Sequence, residues 1–450
     1  MGAGKSTLGA EVADRLGRPF VDLDDEIERV AGRSIPELFE AGEPAFRAIE
    51  EGVAASVLRS PAPLVVALGG GAVLSERTRQ ALREAAITVR VDVDADEAWE
   101  RVAGGDRPLA QDADRFRVLY EERRPIYERV ADAAVRGIED VVLAAAGIEV
   151  EAGVYQSLSI DGPFEVVADE HVAELHPVRL DAPLHVVPAG ERAKTLATCE
   201  RLWRSLRLGR DGVIVAVGGG STTDVAGFTA ASYLRGISWI AVPTTLVGQV
   251  DAAIGGKTGV DIPEGKNLVG AFHWPERTVI DPDLLATLPE TERRNGLAEV
   301  VKTGLLLGEA LWELPVVKQV WSCAAFKAAV CLRDPQEVGE RAMLNLGHTF
   351  AHALEAASDY ALSHGEAVAL GLVAALRLSG LEEQAAEVEA LLAPERPPVD
   401  RERAWQALTR DKKAVGGRVR LVLLAAPGSP MTGVELGDAE VRAALDSLIA

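Results

Sequence analysis

The chain has 450 residues, 48% of them hydrophobic, and a formal charge of −22 at pH 7. Such a length leads us to expect two or three domains with sizeable cores. The acidic balance argues against a nucleic-acid or anionic-membrane partner, since both need clustered Lys and Arg, and leaves small anionic substrates bound in a local basic pocket.

The three cysteines, Cys199, Cys323 and Cys331, have no C-x-x-C spacing, so a disulfide framework is not expected and a cytoplasmic location is. No apolar run has the length of a membrane span.

The chain opens MGAGKSTLGA. Gly4-Lys5-Ser6-Thr7 matches the end of the phosphate loop G-x-x-x-x-G-K-[ST], with no residue for the first glycine or for the strand before it. Lys5 suits β- and γ-phosphates, Ser6 a Mg²⁺ ion, and the backbone from Gly2 through Gly4 to Thr7 the remaining oxygens of ATP. The alternative for this tetrapeptide is a chance helix cap.

RPFVDLD reads as a strand ending in Asp22 and Asp24, which flank Leu23 and so point the same way. One suits Mg²⁺ and the other a substrate hydroxyl. The alternative is a solvated strand end that caps the next helix. FRAIEE places Arg47 in a helix, and the glycines Gly69 to Gly71 after the strand PLVVAL let a substrate touch backbone. AITVRVDVD is a third strand, with helices over Glu76 to Glu84 and Asp114 to Arg123. Arg107 in GGDRPLA suits a mobile lid, and Arg123 opens R-x-P-x-Y.

In order and spacing these motifs resemble shikimate kinase over roughly residues 1 to 140. The resemblance implies that Asp24, Arg47, Gly70 and Arg123 bind shikimate, that Asp24 orients the attacking hydroxyl, and that Arg107 closes on the phosphates. Arginines pair bidentately with a carboxylate, and a carboxylate grips hydroxyls. The absent first strand sets a further expectation, of little or no kinase activity in the chain begun at Met1.

The pattern weakens between Val135 and Ile160, where we place a domain junction. A second βαβ series follows: FEVVAD, PLHVVPAG, GVIVAVGGG, SWIAVPTT and RTVIDP. GGGSTTDVAGF carries Gly220, Ser221, Thr222, Thr223 and Asp224 at a helix start, which suits a dinucleotide pyrophosphate. Further along lie Thr244, Thr245, Asp251 and Lys257, then Lys266 and Asn267, in glycine-rich stretches suited to phosphate and carboxylate groups. From about Leu288 helical patterns dominate, with one late strand in GRVRLVLLAAPG. On spacing alone His348 and His352, one helical turn apart, pair as metal ligands, and Glu299 completes an N₂O set. Lys302 shares a helical face with Glu299.

These stretches resemble 3-dehydroquinate synthase over roughly Ile148 to Ala450, in PAGERAK, GGG…D-x-AGF, VPTT, QVD…GGKT, GKN-L-x-GAF, N-G-x-AE-x-x-K, R-x-x-LN-x-GHTF-x-H, HGEAVA-x-G and DKK. The resemblance replaces the spacing choice: it implies Glu299, His348 and His364 as ligands of zinc or cobalt. His352 becomes a proton-transfer residue. Lys257, Asn267, Lys302, Lys327, Arg341, Asn345 and Lys412 or Lys413 bind substrate. Glu191, Lys194, Lys266 and the glycine-turn residues hold NAD. GGGS, and Asp261 where the family more often has Asn, depart from the family pattern. GGGS also resembles metal-dependent alcohol dehydrogenases, so the alternative is such an enzyme joined to a silent P-loop module.

The expected architecture is α/β. A P-loop kinase-like parallel-sheet domain over 1–145 precedes a two-part synthase, with a Rossmann-like α/β half over 146–287 and a mostly helical metal-binding half over 288–450. A homodimer through the synthase part is expected.

Overall fold

A computed structural model describes residues 2–103, 112–176, 181–409 and 418–450. The chain divides into two compact units, Met1–Ala146 and Gly147–Ala450.

In the front unit, strand β1 (Phe20–Asp22) pairs in parallel with β2 (Val65–Ala67). Strand β3 (Val89–Val91) pairs in parallel with β4 (Ala133–Val135). Helices Lys5–Leu16, Leu23–Ala31 and Glu43–Val57 follow the amphipathic pattern, and Leu23, Ile27, Leu38, Phe46, Val53 and Ala54 form one core. One expectation is corrected here. The strand that begins RPF ends at Asp22, and Asp24 lies in the first turn of the next helix. Asp22 is that helix's N-cap and accepts a hydrogen bond from the Asp24 N–H at 2.9 Å. A capping carboxylate satisfies a backbone donor that the helix itself leaves unpaired, which favours this turn over continued strand.

The rear unit is built on a six-stranded sheet. In chain order its strands are β5 (Ile148–Val150), β6 (Phe164–Asp169), β7 (Leu184–Val187), β8 (Val213–Gly218), β9 (Ser238–Pro243) and, after a hairpin, β12 (Arg277–Ile280). Their spatial order is β5-β12-β9-β8-β6-β7, and every pairing is parallel. All six residues of β8, VIVAVG, are buried. Parallel strands covered on both faces read as continuous apolar runs, which is why this segment shows in the sequence. The chain steps outward from β6 to β7 and then back across to β8. The ends of β6 and β8 therefore flank a topological switch point.

Two hairpins are present, and of their strands only one shows in the sequence, in GRVRLVLLAAPG. Strands β10 (Lys257–Ile262) and β11 (Gly265–Phe272) pair antiparallel, as do β13 (Arg420–Ala426) and β14 (Ser429–Glu435). The first carries Asn267 within β11, opposite the register shift between Val260 and Ile262, with φ 55°. Helices Glu290–Leu307, Val316–Arg333, His348–Ala357 and His364–Leu378 build the second half around Val301, Leu346, Phe350, Leu354, Leu372 and Leu376. The short strands β4 and β5 fall where the pattern weakens, because three residues are too few to show a period. Among the described residues no helix is long and apolar enough to cross a membrane.

Candidate functional site

Helices Glu290–Leu307, His348–Ala357 and His364–Leu378 bring Glu299, His348 and His364 together, with one ligand atom from each all within 4.8 Å of one another. His348 Nε2 lies 3.4 Å and His364 Nε2 3.1 Å from Glu299 Oε1. Ligands placed tetrahedrally about 2.0–2.2 Å from a zinc ion stand roughly 3.4 Å apart, so the spacing suits such an ion. Glu299 is fully buried, and its Oε2 has no hydrogen-bond partner although the Lys302 ammonium pairs with it. Lys302 takes up Oε2, and Oε1 faces the two imidazole Nε2 atoms, a set of one carboxylate oxygen and two nitrogens that suits a cation. The residues therefore fit a divalent metal.

The other ring nitrogens are held from behind. His348 Nδ1 lies 3.2 Å from the Leu346 carbonyl, and His364 Nδ1 lies 3.3 Å from Glu355 Oε1. With Nδ1–H donating in each, both Nε2 lone pairs face Glu299. Burial alone would raise the Glu299 carboxyl, but Lys302 and the two imidazoles hold it well below the usual carboxylate range. Burial likewise depresses His364, yet Glu299 and Glu355 raise it to about 10. His352 lies outside the ligand trio. Its ring stands edge-on to that of His348, with centroids 5.5 Å apart, and its side chain is exposed.

Beside the trio runs a chain of charges, in which Lys302 and Lys327 are buried and Asp251 partly exposed. Lys302 Nζ is 3.5 Å from Asp251 Oδ1, and Lys327 Nζ is 2.9 Å from the same oxygen and 2.7 Å from the Asp251 carbonyl. Burial pushes the Asp251 carboxyl up, but the two lysines bring it down to about 2. Asp251 and Glu299 in turn hold Lys302 above the ordinary lysine value despite its burial. Asp251 comes from the turn that follows β9, so the network ties the sheet to Glu299.

At the switch point, Gly219 caps the helix Gly220–Ser232. A Cβ on Gly219 would sit 3.0 Å from Thr245 Cγ2, and one on Gly220 would sit 2.8 Å from Ala252 Cβ. Bare backbone at a helix start beside a parallel-sheet switch point fits a dinucleotide pyrophosphate. Thr222 and Thr223 face inward. Thr223 Oγ1 donates to the Gly220 carbonyl at 2.9 Å and Thr222 Oγ1 to Asp169 Oδ2 at 3.5 Å, so they shape the turn instead of lining it. Thr244 donates its N–H to the Gly218 carbonyl at 2.9 Å, and Ser221 is partly exposed at the helix start.

Buried Lys194 donates to Asp224 Oδ2 at 2.8 Å and to Asn267 Oδ1 at 2.5 Å. Burial raises Asp224 to about 6, against the opposing charge of Lys194. Lys266 stands 3.8 Å from Glu191 and over the Tyr360 ring at 4.5 Å. Asp261 Oδ1 accepts the Asn267 N–H at 2.8 Å and so steadies its left-handed backbone. A second cluster gathers Lys257, Asn345 and Glu337: Lys257 pairs with Glu337, and Asn345 Nδ2 donates to it at 3.0 Å. Arg341 is fully buried and donates to the Gly255 carbonyl at 2.9 Å and the Pro335 carbonyl at 3.0 Å.

In the front unit Lys5 is the first residue of its helix, after Gly4 at φ 77°. Its Nζ lies 3.7 Å from Asp24 Oδ2, and Ser6 Oγ donates to Asp22 Oδ2 at 2.5 Å. Gly2 stands just ahead, also with positive φ, and Thr7 is exposed in the first turn. Arg47 donates to buried Glu50 at 2.6 Å. A Cβ on Gly71 would strike the Arg47 guanidinium, and one on Gly69 would lie 2.8 Å from Asp24 Oδ1. Tyr127 Oη donates to the Gly70 carbonyl at 2.7 Å, and burial raises its phenol against the charge of Arg123. Asp24, Arg47, the glycine turn and Arg123 thus belong to one neighbourhood. Arg107, Lys412 and Lys413 lie outside the described residues.

Four side chains were not singled out from the sequence. Glu355 sits seven residues after His348, two turns along the same helix face, and that spacing is its only signal. Glu337 lies in an irregular loop at φ 56°, with nothing local to mark it. Asp169 ends β6. Arg101 donates to the Gly2 carbonyl at 3.3 Å beside the phosphate loop.

Comparison with known proteins gives three family matches. The model described as 3-dehydroquinate synthase N-terminal matches residues 184–295, and that described as 3-dehydroquinate synthase C-terminal matches 296–414. The model described as shikimate kinase matches residues 1–146. The chain is 43% identical over 317 residues to a 3-dehydroquinate synthase of Halorhodospira halophila, a match that covers 63% of this chain and 89% of that protein. A crystal structure of 2-deoxy-scyllo-inosose synthase with carbaglucose-6-phosphate, NAD⁺ and Co²⁺ is 26% identical, with a TM-score of 0.60 over 67% of this chain and 96% of that one. A 2-epi-5-epi-valiolone synthase from Streptomyces hygroscopicus subsp. jinggangensis, with NAD⁺ and Zn²⁺ bound, is 27% identical with a TM-score of 0.59 over 67% of this chain and 96% of that one.

Proposed function

The chain belongs to the 3-dehydroquinate synthase family and carries a shikimate kinase domain at its front, and from that premise we propose how its residues serve two steps of aromatic biosynthesis. The synthase step turns 3-deoxy-D-arabino-heptulosonate 7-phosphate into 3-dehydroquinate and phosphate. The kinase step moves the γ-phosphate of ATP to shikimate. An alcohol dehydrogenase in the rear unit is not favoured by these matches.

One observation carries the reading of the synthase. A buried carboxylate and two imidazoles from three helices meet beside the Lys302–Asp251–Lys327 chain. Zinc or cobalt bound by Glu299, His348 and His364 would supply Lewis acidity toward a substrate hydroxyl and carbonyl. NAD held by the Gly219–Gly220 turn, Ser221, Thr244, Thr245, Asp251, Glu191, Lys194 and Lys266 would supply a reversible hydride acceptor. Lys302, held cationic by Asp251 and Glu299, and Lys327, ion-paired with Asp251 at 2.9 Å, present positive charge to an anionic substrate. Lys257, Asn267, Arg341, Asn345 and Lys412 bind its phosphate, carboxylate and hydroxyls. His352, exposed one turn beyond His348, carries the proton transfer that phosphate elimination requires.

In the front unit Lys5, Ser6 and Asp22 hold ATP and Mg²⁺, and Asp24, Arg47, Gly70 and Arg123 hold shikimate. We place the chain in the cytoplasm, as a homodimer through its synthase part, with no nucleic-acid or membrane partner.

The test uses the purified chain. Phosphate release from the seven-carbon sugar acid should require NAD without accumulating NADH. Removing metal with a chelator should stop it, and Zn²⁺ or Co²⁺ should restore it. His364→Ala should lose both zinc and synthase activity, whereas His352→Ala should keep its zinc and lose activity. Stoichiometric NADH build-up with a simple alcohol would overturn the reading. Shikimate phosphorylation, assayed in parallel, reports on the front unit.

A further inference from the structure

Among the described residues, Glu355 is the one buried carboxylate near the ligand trio to which the metal reading gives no task. Its side chain is 5% exposed, and Oε1 lies 3.3 Å from His364 Nδ1, on the far side of the imidazole from Glu299. The placement is built from two directions. Glu355 lies two turns beyond His348 on a helix whose next residues reverse the chain, with Asp359 and Tyr360 both at positive φ. The Tyr360 N–H and the Ser358 hydroxyl both donate to the Glu355 carbonyl, at 2.8 and 2.9 Å, which closes this reversal tightly. His364 opens the next helix, anchored by the Ser363 cap, whose hydroxyl also reaches Glu366 Oε2 at 2.9 Å.

We infer that Glu355 is a positioning residue for the metal: by accepting the His364 Nδ1–H it fixes the tautomer and ring orientation that aim Nε2 at the ion. The inference rests on Glu299, His348 and His364 being the metal ligands. An imidazole binds a metal only through an unprotonated nitrogen, and the ring can turn about its last side-chain torsion to offer either one. His348 is oriented by a backbone carbonyl that no side-chain substitution removes. His364 is oriented by a side chain, so it is the ligand whose aim depends on a replaceable group. Loss of such an outer partner typically weakens metal binding about 10–100-fold.

The experiment is a zinc competition titration of the full chain against a chromophoric chelator, together with the visible ligand-field absorption of the Co²⁺-loaded protein. Glu355→Ala should raise the zinc dissociation constant about 10–100-fold and change the Co²⁺ spectrum, with the thermal midpoint of the metal-free protein little moved. Glu355→Gln keeps the shape and a neutral acceptor, and should lose less affinity than Glu355→Ala while remaining weaker than the parent. Should Glu355→Ala fail to fold, Glu355→Gln carries the test, and parental zinc affinity and spectrum in it would overturn the inference. His364→Ala separates the two readings. If it keeps parental zinc affinity, the metal-site assignment falls and this inference with it. If it loses zinc while Glu355→Ala binds as the parent does, only this inference falls.

Discussion

In the front unit every residue of β1 and β3 is partly exposed, and Lys5 and Asp24 meet with side chains 28% and 38% exposed. In the rear unit β8 is buried throughout, and Lys302 and Glu299 pair with 2% and 1% of their side chains exposed. Charge near solvent is cheap to keep and easily rearranged, because water screens it. Charge in the interior must be paired, and a broken pair there costs far more than the intact pair contributes. The front site is thus assembled from groups that can reorganise around a ligand. The rear site is organised before any ligand arrives.

The largest expected effect tests the rear side of this contrast. Lys302→Met leaves buried Glu299 without its ammonium partner, and should destabilise the rear unit by about 3–5 kcal/mol in denaturant unfolding and abolish phosphate release. A loss under about 1 kcal/mol would mean that water or a relaxed structure screens this pair as it does at a surface.

Next comes a pH dependence. Asp251 is depressed from 3.8 to about 2. A carboxyl lowered on folding adds stability that is present above its unfolded value and lost as pH falls through the folded one. The stability difference between the parent and Asp251→Asn should therefore shrink by about 1–2 kcal/mol between pH 5 and pH 2. A pH-independent difference would contradict the assignment. Asp224, raised to about 6, acts in the opposite direction: native protein takes up a proton that the unfolded chain does not, so its contribution declines as pH rises from about 4 to 6.

A smaller effect is expected in front. Arg47→Ala leaves buried Glu50 without its 2.6 Å donor, at a cost of about 1–2 kcal/mol. Shikimate binding, read by calorimetry, should weaken with it while synthase activity stays at the parental level. The smallest effect belongs to the surface pair of Arg29 and Glu26, whose arginine side chain is 71% exposed. Arg29→Ala should leave the unfolding midpoint and both activities unchanged.

The elements legible in the sequence are those with a long buried period or a dense motif. FEVVAD, GVIVAVG and SWIAVP are strands because continuous apolar residues fill a sheet covered on both faces. The helices that carry Glu299, His348 and His364 are equally plain. Apolar β13 is legible in GRVRLVLLAAPG, whereas the β10–β11 hairpin and β14 escaped, since their strands mix glycine, lysine and proline with apolar residues and lack clean alternation. Asp22 was placed correctly but for an incomplete reason, because a cap is decided by the N–H it meets.

By itself the sequence determined the chemistry available to this protein: the phosphate loop, the glycine turns, the lysines, and one carboxylate with three histidines within reach of a metal. Spacing alone paired His348 with His352, because a single helix is all that local periodicity can see. The family resemblance replaced His352 by His364, and the tertiary structure shows the physical reason, bringing His364 and Glu299 to His348 through the way three helices cross. The tertiary structure alone places Glu355 behind His364 and Asp251 between two lysines. Those contacts join residues distant in the chain, and their strength comes from exclusion of water that no local stretch of sequence encodes.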